Sequence, residues 1–216
     1  MKKYSFLDII SVILRFIYRK CKRIGLKDKK LTIISNNCIA GIIYHDLGLK
    51  FNSPTINLFI KNKDFINFLE HFDYFVNCEL EEFKTNEYDY PTGVLKSQVY
   101  GNVYIHFIHY DSFFDAKRKW DIRKKRIDMT NFFIIMELGI HTNQIMLEKF
   151  KKLDFKNKIA IINSKHINDD NIKYLDIYDN YEVGKILNYK DGYIKVRRYL
   201  DDLDYVSFFN KALNKK

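Results

Sequence analysis

From Leu31 to Ile162 the chain alternates short runs of apolar, β-branched residues with stretches whose apolar residues recur every three or four positions. This alternation restricts the fold more than any other feature. Parallel strands need crossover connections about a dozen residues long, and a helix is the usual way to make one. The pattern predicts strands over 31–35, 55–60, 132–136 and 158–162, with helices over 37–47, 63–76, 112–127 and 142–152. Shorter strands are expected over 78–83, 94–100 and 103–110, and "YGN" (residues 100–102) turns the last two into a hairpin. Past Asn163 the pattern gives a hairpin turning at Lys190-Asp191-Gly192 and a helix over 199–213. The expected fold is α/β: a three-layer, Rossmann-like sheet, mainly parallel but mixed by the hairpin, with helices on both faces. A length of 216 residues suits one such domain, over 25–216, preceded by a helix over 1–24.

Cys21, Cys38 and Cys78 are an odd number without a CxxC pair, which points to a reducing, cytoplasmic setting and away from a disulfide framework or a structural zinc site. The formal charge of +10 suggests nucleic acid until it is located. Residues 1–30 carry ten Lys and Arg against Asp8 and Asp28, which is +8 of the total. The body is close to neutral and has no nucleic-acid motif, so no nucleic-acid partner is expected. Within "MKKYSFLDIISVILRFIYRKCKRIG", Asp8 and Arg15 leave only six residues between them, too few to span a bilayer. On a helical wheel Phe6, Ile9, Ile10, Ile13, Ile17 and Ile24 share one face, and Asp8, Ser11, Arg15, Arg19, Lys22 and Arg23 share the other. Two arrangements fit: a helix lying on the anionic inner face of the cytoplasmic membrane, or a terminal helix docked on the domain with its charges in water.

In sheets of this kind ligands bind beyond the carboxyl ends of the strands. The first such end is Ser35-Asn36-Asn37-Cys38, where a helix start offers free N–H groups and partial positive charge to an anion, and the asparagines suit sugar hydroxyls or phosphate oxygens. The same residues also serve as ordinary helix caps. Cys38 reads as a nucleophile or as a buried structural thiol. The second end is His109-Tyr110. His106 and His109 lie three apart on a strand and so face opposite ways, which makes His109 the acid/base candidate and gives no metal site. "KRKWDIRKKR" follows, with Trp120 on the buried side of its helix and Arg123 and Lys124 beside it, placed to hold a phosphate or carboxylate. The third end runs from Glu137 to His141, with Glu137 a candidate base. There is no GxGxxG or GxxxxGK, and no cofactor is expected.

Three strings, "ISNNCIAGIIYHDLGLKFNSPTINLFI", "IHFIHY" and "KWDIRKKRI", together resemble a bacterial family of unknown function, DUF1919, often associated with exopolysaccharide or capsule biosynthesis. The matching residues include Ser35, Asn36, Asn37, Cys38, Gly41, His106, His109, Tyr110, Trp120 and Arg123. The chain departs from the family's pattern at Ile39-Ala40, where relatives carry Trp-Gly, and after Met136, where relatives tend to be acidic and glycine-rich. The resemblance implies a role in cell-surface polysaccharide assembly without fixing a reaction. The leading expectation is a glycosyltransferase-like enzyme using a nucleotide-sugar or lipid-linked phosphosugar, with His109 or Glu137 as base and Arg123 on phosphate. The alternatives are a thiol hydrolase or acyltransferase built on Cys38 and His109, and a non-catalytic polysaccharide-binding module.

Overall fold

The computed structural model describes residues 5–139, 144–162, 172–174 and 184–213. The order of elements is α1 (Phe6–Gly25), β1 (Thr32–Ser35), α2 (Ile39–Leu47), α3 (Asn62–Glu70), α4 (Phe72–Asn77), β2 (Leu80–Glu82), β3 (Thr92–Leu95), β4 (Val103–His106), α5 (Phe113–Lys124), β5 (Phe132–Gly139), α6 (Gln144–Lys152), β6 (Lys158–Ile162), β7 (Ile172–Tyr174) and α7 (Tyr205–Leu213). Short 3-10 turns precede β5 and lie between β7 and α7.

Among the described residues β1, β5, β6 and β7 form a parallel sheet in that spatial order. β1, β5 and β6 are buried at every position because both faces of the sheet are covered. Alternate residues feed two cores. Ile34, Ile134, Met136 and Ala160 face a layer made by α3, α4, α5 and α6. Ile33, Phe133, Ile135 and Ile159 face α2 and α7. The expected three-layer α/β arrangement is therefore present.

The hairpin differs from expectation. β2, β3 and β4 form an antiparallel sheet of their own, packed against the first core, and do not join the parallel one. What links the two sheets is the segment 55–60. Its run does not form a strand, because Asn57 sits at φ +59° in the left-handed region and breaks the extended path. Phe59 exchanges both backbone hydrogen bonds with His106 at the end of β4, and the Ile60 N–H donates to the Asn36 carbonyl at 2.8 Å. The ends of β1 and β4 are thereby held on either side of one short strip. The helix expected over 63–76 is broken at His71, whose ring stacks on Tyr100 at 3.7 Å.

α1 docks the opposite way round from an ordinary amphipathic helix. Its buried residues are Ser11 and Arg15. Arg15 forms ion pairs with Asp46 of α2 and, at 2.5 Å, with Asp201, and it donates to the Val196 carbonyl at 2.9 Å. Lys22 joins Asp201 at 2.6 Å. Arg23 donates to the Asp46 and His45 carbonyls, where a cation complements the end of the α2 dipole. The helix thus sits on the domain through its charges, and its apolar side faces out.

Candidate functional site

The turn after β1 explains itself locally. Cys38 stands at the N-cap of α2, yet its side chain makes no cap. Capping passes to its neighbours: the Asn37 Oδ1 accepts from the Ile39 N–H at 3.1 Å, and the Ser35 hydroxyl accepts from the Ala40 N–H at 3.1 Å while donating to the Asn37 carbonyl at 2.7 Å. Thr55 accepts the Ser35 N–H. Ser35 and Asn37 satisfy helix donors that would otherwise be buried without a partner.

Asn36 does something different. Its amide donates to the Glu137 carbonyl at 2.8 Å, and its Oδ1 accepts the Glu137 N–H at 2.9 Å, so the side chain extends the β1–β5 ladder one step past the last strand residue. The same amide group donates to Asn62 Oδ1 at the start of α3. Both capacities of a primary amide are used, which no aspartate or serine could match.

This arrangement brings Glu137 to the carboxyl end of β5 on the α2 side of the sheet, fully buried. Its carboxylate accepts from the Asn37 side chain and from the Gly184 N–H at 3.1 and 3.2 Å. Burial raises its pKa to about 7, against the lowering effect of those hydrogen bonds. Cys38 lies beside it. Its thiol is pushed up to about 11 by burial and then by the neighbouring Glu137 charge, and it donates to the Leu58 carbonyl at 3.9 Å. Tyr110 reaches the same rim from the other sheet: its hydroxyl donates to the Ile56 carbonyl at 2.9 Å, and Cys38 is near enough to influence its ionisation. Arg123 donates to that hydroxyl at 2.7 Å and lies over the Phe51 ring at 5.1 Å, half-buried and held in place. Arg123, Tyr110, Cys38, Glu137 and Asn37 therefore form one continuous strip.

A family model described as a domain of unknown function, DUF1919, matches residues 9–210. The chain belongs to that family. A protein of Haemophilus influenzae, described as uncharacterized, is 32% identical over 199 residues, covering 92% of this chain and 93% of its own. The DUF1919 match spans every described strand and the whole of the strip.

His109, Trp120 and Lys124, also candidates in this DUF1919 chain, are not joined to the strip by a hydrogen bond or ion pair. His109 is exposed and makes no hydrogen bond, ion pair or ring contact among the described residues. Trp120 is buried in the first core against Phe68. Lys124 turns to the Cys78 carbonyl and Asp121. His141 lies outside the described residues. No three His, Cys, Asp or Glu groups converge as a metal site among the described residues. A crevice of about 590 Å³, lined in part by His71, Tyr100, Lys149 and Lys152, opens near the amino end of β5 and includes no member of the strip.

Asn62 and Gly184 were not legible as partners of this site. Asn62 falls one position before the apolar period that marks its helix. Gly184 contributes only a backbone N–H, which no side-chain pattern encodes. Asn57 left a faint signal in Gly41: a β-carbon there would meet the Asn57 side chain at 3.0 Å, so the small residue is needed for the approach.

Proposed function

We propose that this protein is a group-transfer enzyme acting on a sugar phosphate, as a nucleotide-sugar or a lipid-linked phosphosugar, in cytoplasmic steps of cell-surface polysaccharide assembly. The observation that carries the reading is Glu137: a carboxyl that titrates near neutrality at the carboxyl end of a parallel strand, where α/β enzymes place their chemistry. Glu137 is fully buried, so the reading requires substrate binding to open its position; a carboxyl so reached accepts a proton from an attacking hydroxyl and returns it after transfer. Asn37 and the Gly184 amide orient it, and Arg123, steadied by Tyr110, supplies a cation for phosphate.

Cys38 serves poorly as the nucleophile of a thiol enzyme. Its raised pKa keeps it protonated at neutral pH, and no imidazole stands beside it among the described residues. In the transferase reading it packs against the acid.

The test is a thermal-shift panel of nucleotide-sugars and phosphosugars on the full chain, followed by turnover assays on whatever binds. Glu137→Gln is expected to keep ligand binding and lose turnover by about a hundredfold or more, the contribution usual for a general base. A panel without any shift, or a variant with unchanged turnover, would remove the proposal. Binding without turnover in the native protein would instead favour a polysaccharide-binding module.

A further inference from the structure

We propose that the outer face of α1 docks onto an anionic lipid bilayer, independently of which reaction the domain performs. The observation is the inverted packing of this helix. Phe6 is 76% exposed, Val12 65%, Phe16 53% and Ile24 85%, and Ile9 and Ile13 are exposed between them. Apolar side chains along a 20-residue helix make a contiguous patch of the kind that soluble surfaces seldom leave uncovered. The orientation is not adjustable. Arg15 is clamped between Asp46 and Asp201, so turning the apolar side inward would strip two buried carboxylates of their partner.

Charge selects the occupant. Residues 1–30 carry a net +8, of which Arg15, Lys22 and Arg23 are turned to the domain and engaged there, leaving the other described lysines for the outer side. Lys20 lies beside the Phe16 ring within the apolar face, and Lys27, Lys29 and Lys30 are exposed just past the end of the helix. Apolar side chains bordered by Lys match a layer of acyl chains beneath anionic headgroups. A second copy of this chain fits worse, because pairing two such segments brings like charge together. No helix among the described residues is long and apolar enough to cross a membrane, so the contact is one of lying on the surface.

The experiment is co-sedimentation of the full chain with vesicles of phosphatidylcholine alone and of phosphatidylcholine mixed with phosphatidylglycerol, at low and high salt. The expected result is binding to the anionic vesicles at least about tenfold stronger than to the neutral ones, and weakened by salt. Ile13→Asp and Phe16→Asp replace exposed side chains, so thermal unfolding should be unchanged while vesicle binding falls about tenfold or more. Folded protein that ignores anionic vesicles would overturn the proposal, as would Asp variants that bind them as well as the native chain. A concentration-dependent dimer that these substitutions abolish, without vesicle binding, would assign the face to a second copy and equally reject the bilayer.

Discussion

Glu137 is buried at a cost that its surroundings only partly offset, and the cost can be read as a pH dependence. Its ordinary pKa of 4.5 rises to about 7 in the folded chain. Below the lower value it is neutral in both states and costs nothing extra. Between the two values the unfolded chain ionises while the folded one resists, so stability falls as pH rises, by about 3 kcal/mol in all, and levels off above the folded value. Glu137→Gln has nothing to ionise. The native chain's stability minus the variant's, from urea titrations at stepped pH, should therefore decline by about that amount between pH 4.5 and 7; a flat difference would mean the carboxyl is hydrated. Cys38 offers a second check: with its thiol pushed up to about 11 and buried, it should react with iodoacetamide far more slowly than the exposed Cys21 at neutral pH. Residue types at this site were visible in the sequence, because Ser, Asn and Cys between a strand and a helix can only cap or bind. Their division of labour was not. Ser35 and Asn37 cap, Asn36 replaces a strand residue, and the difference comes from partners a hundred positions away.

At the scale of elements, β1, β5 and β6 follow from their apolar, β-branched runs while the pattern does not predict the short β7, and α2 follows from its period and from Gly48, which closes it at φ +66°. The helix expected over 199–213 is a 3-10 turn to Asp202 and then α7 from Tyr205, and two further breaks that escaped the pattern have local causes invisible to periodicity. Asn57 takes a left-handed conformation that costs one polar residue little, and His71 leaves the helix to stack on Tyr100. α1 shows a different limit. A helical wheel finds two faces but not which one the body holds, because buried ion pairs form only when distant carboxylates are supplied, here Asp46 and Asp201. Arg15→Met should accordingly destabilise the protein by about 3–5 kcal/mol by leaving a buried charge uncompensated. Trypsin should then cut early at Arg19 and Arg23 as the helix detaches. Adding Asp46→Asn should restore much of the loss, and urea titrations of the single and double variants give both numbers. A negligible cost for Arg15→Met would show that α1 is held by something else.

At the scale of the whole molecule, one sheet separates two cores that share no side chain, yet β1, β5 and β6 each contribute to both. Ile33 and Ile34, or Phe133 and Ile134, are neighbours in the chain and belong to opposite sides. Melting either layer would expose one face of strands that the other layer still needs, so residues 25–216 should unfold as a unit despite the extra antiparallel sheet. Two small cavities test this. Ile43 of α2 is fully buried in one core and Ile66 of α3 almost so in the other. Ile43→Val and Ile66→Val should each cost about 0.5–1.5 kcal/mol. With no shared neighbours the double variant should lose the sum to within about 0.5 kcal/mol, and all three should keep the native slope in urea. Fluorescence from Trp120, which lies in the first core, reports on one layer, and far-ultraviolet circular dichroism reports on both. If the sheet binds the layers into one cooperative structure, the two signals move together even when the cavity is in α2. Separate midpoints would mean that the α2 side opens while the Trp120 side persists, and the chain would then be two stability units built on a common sheet.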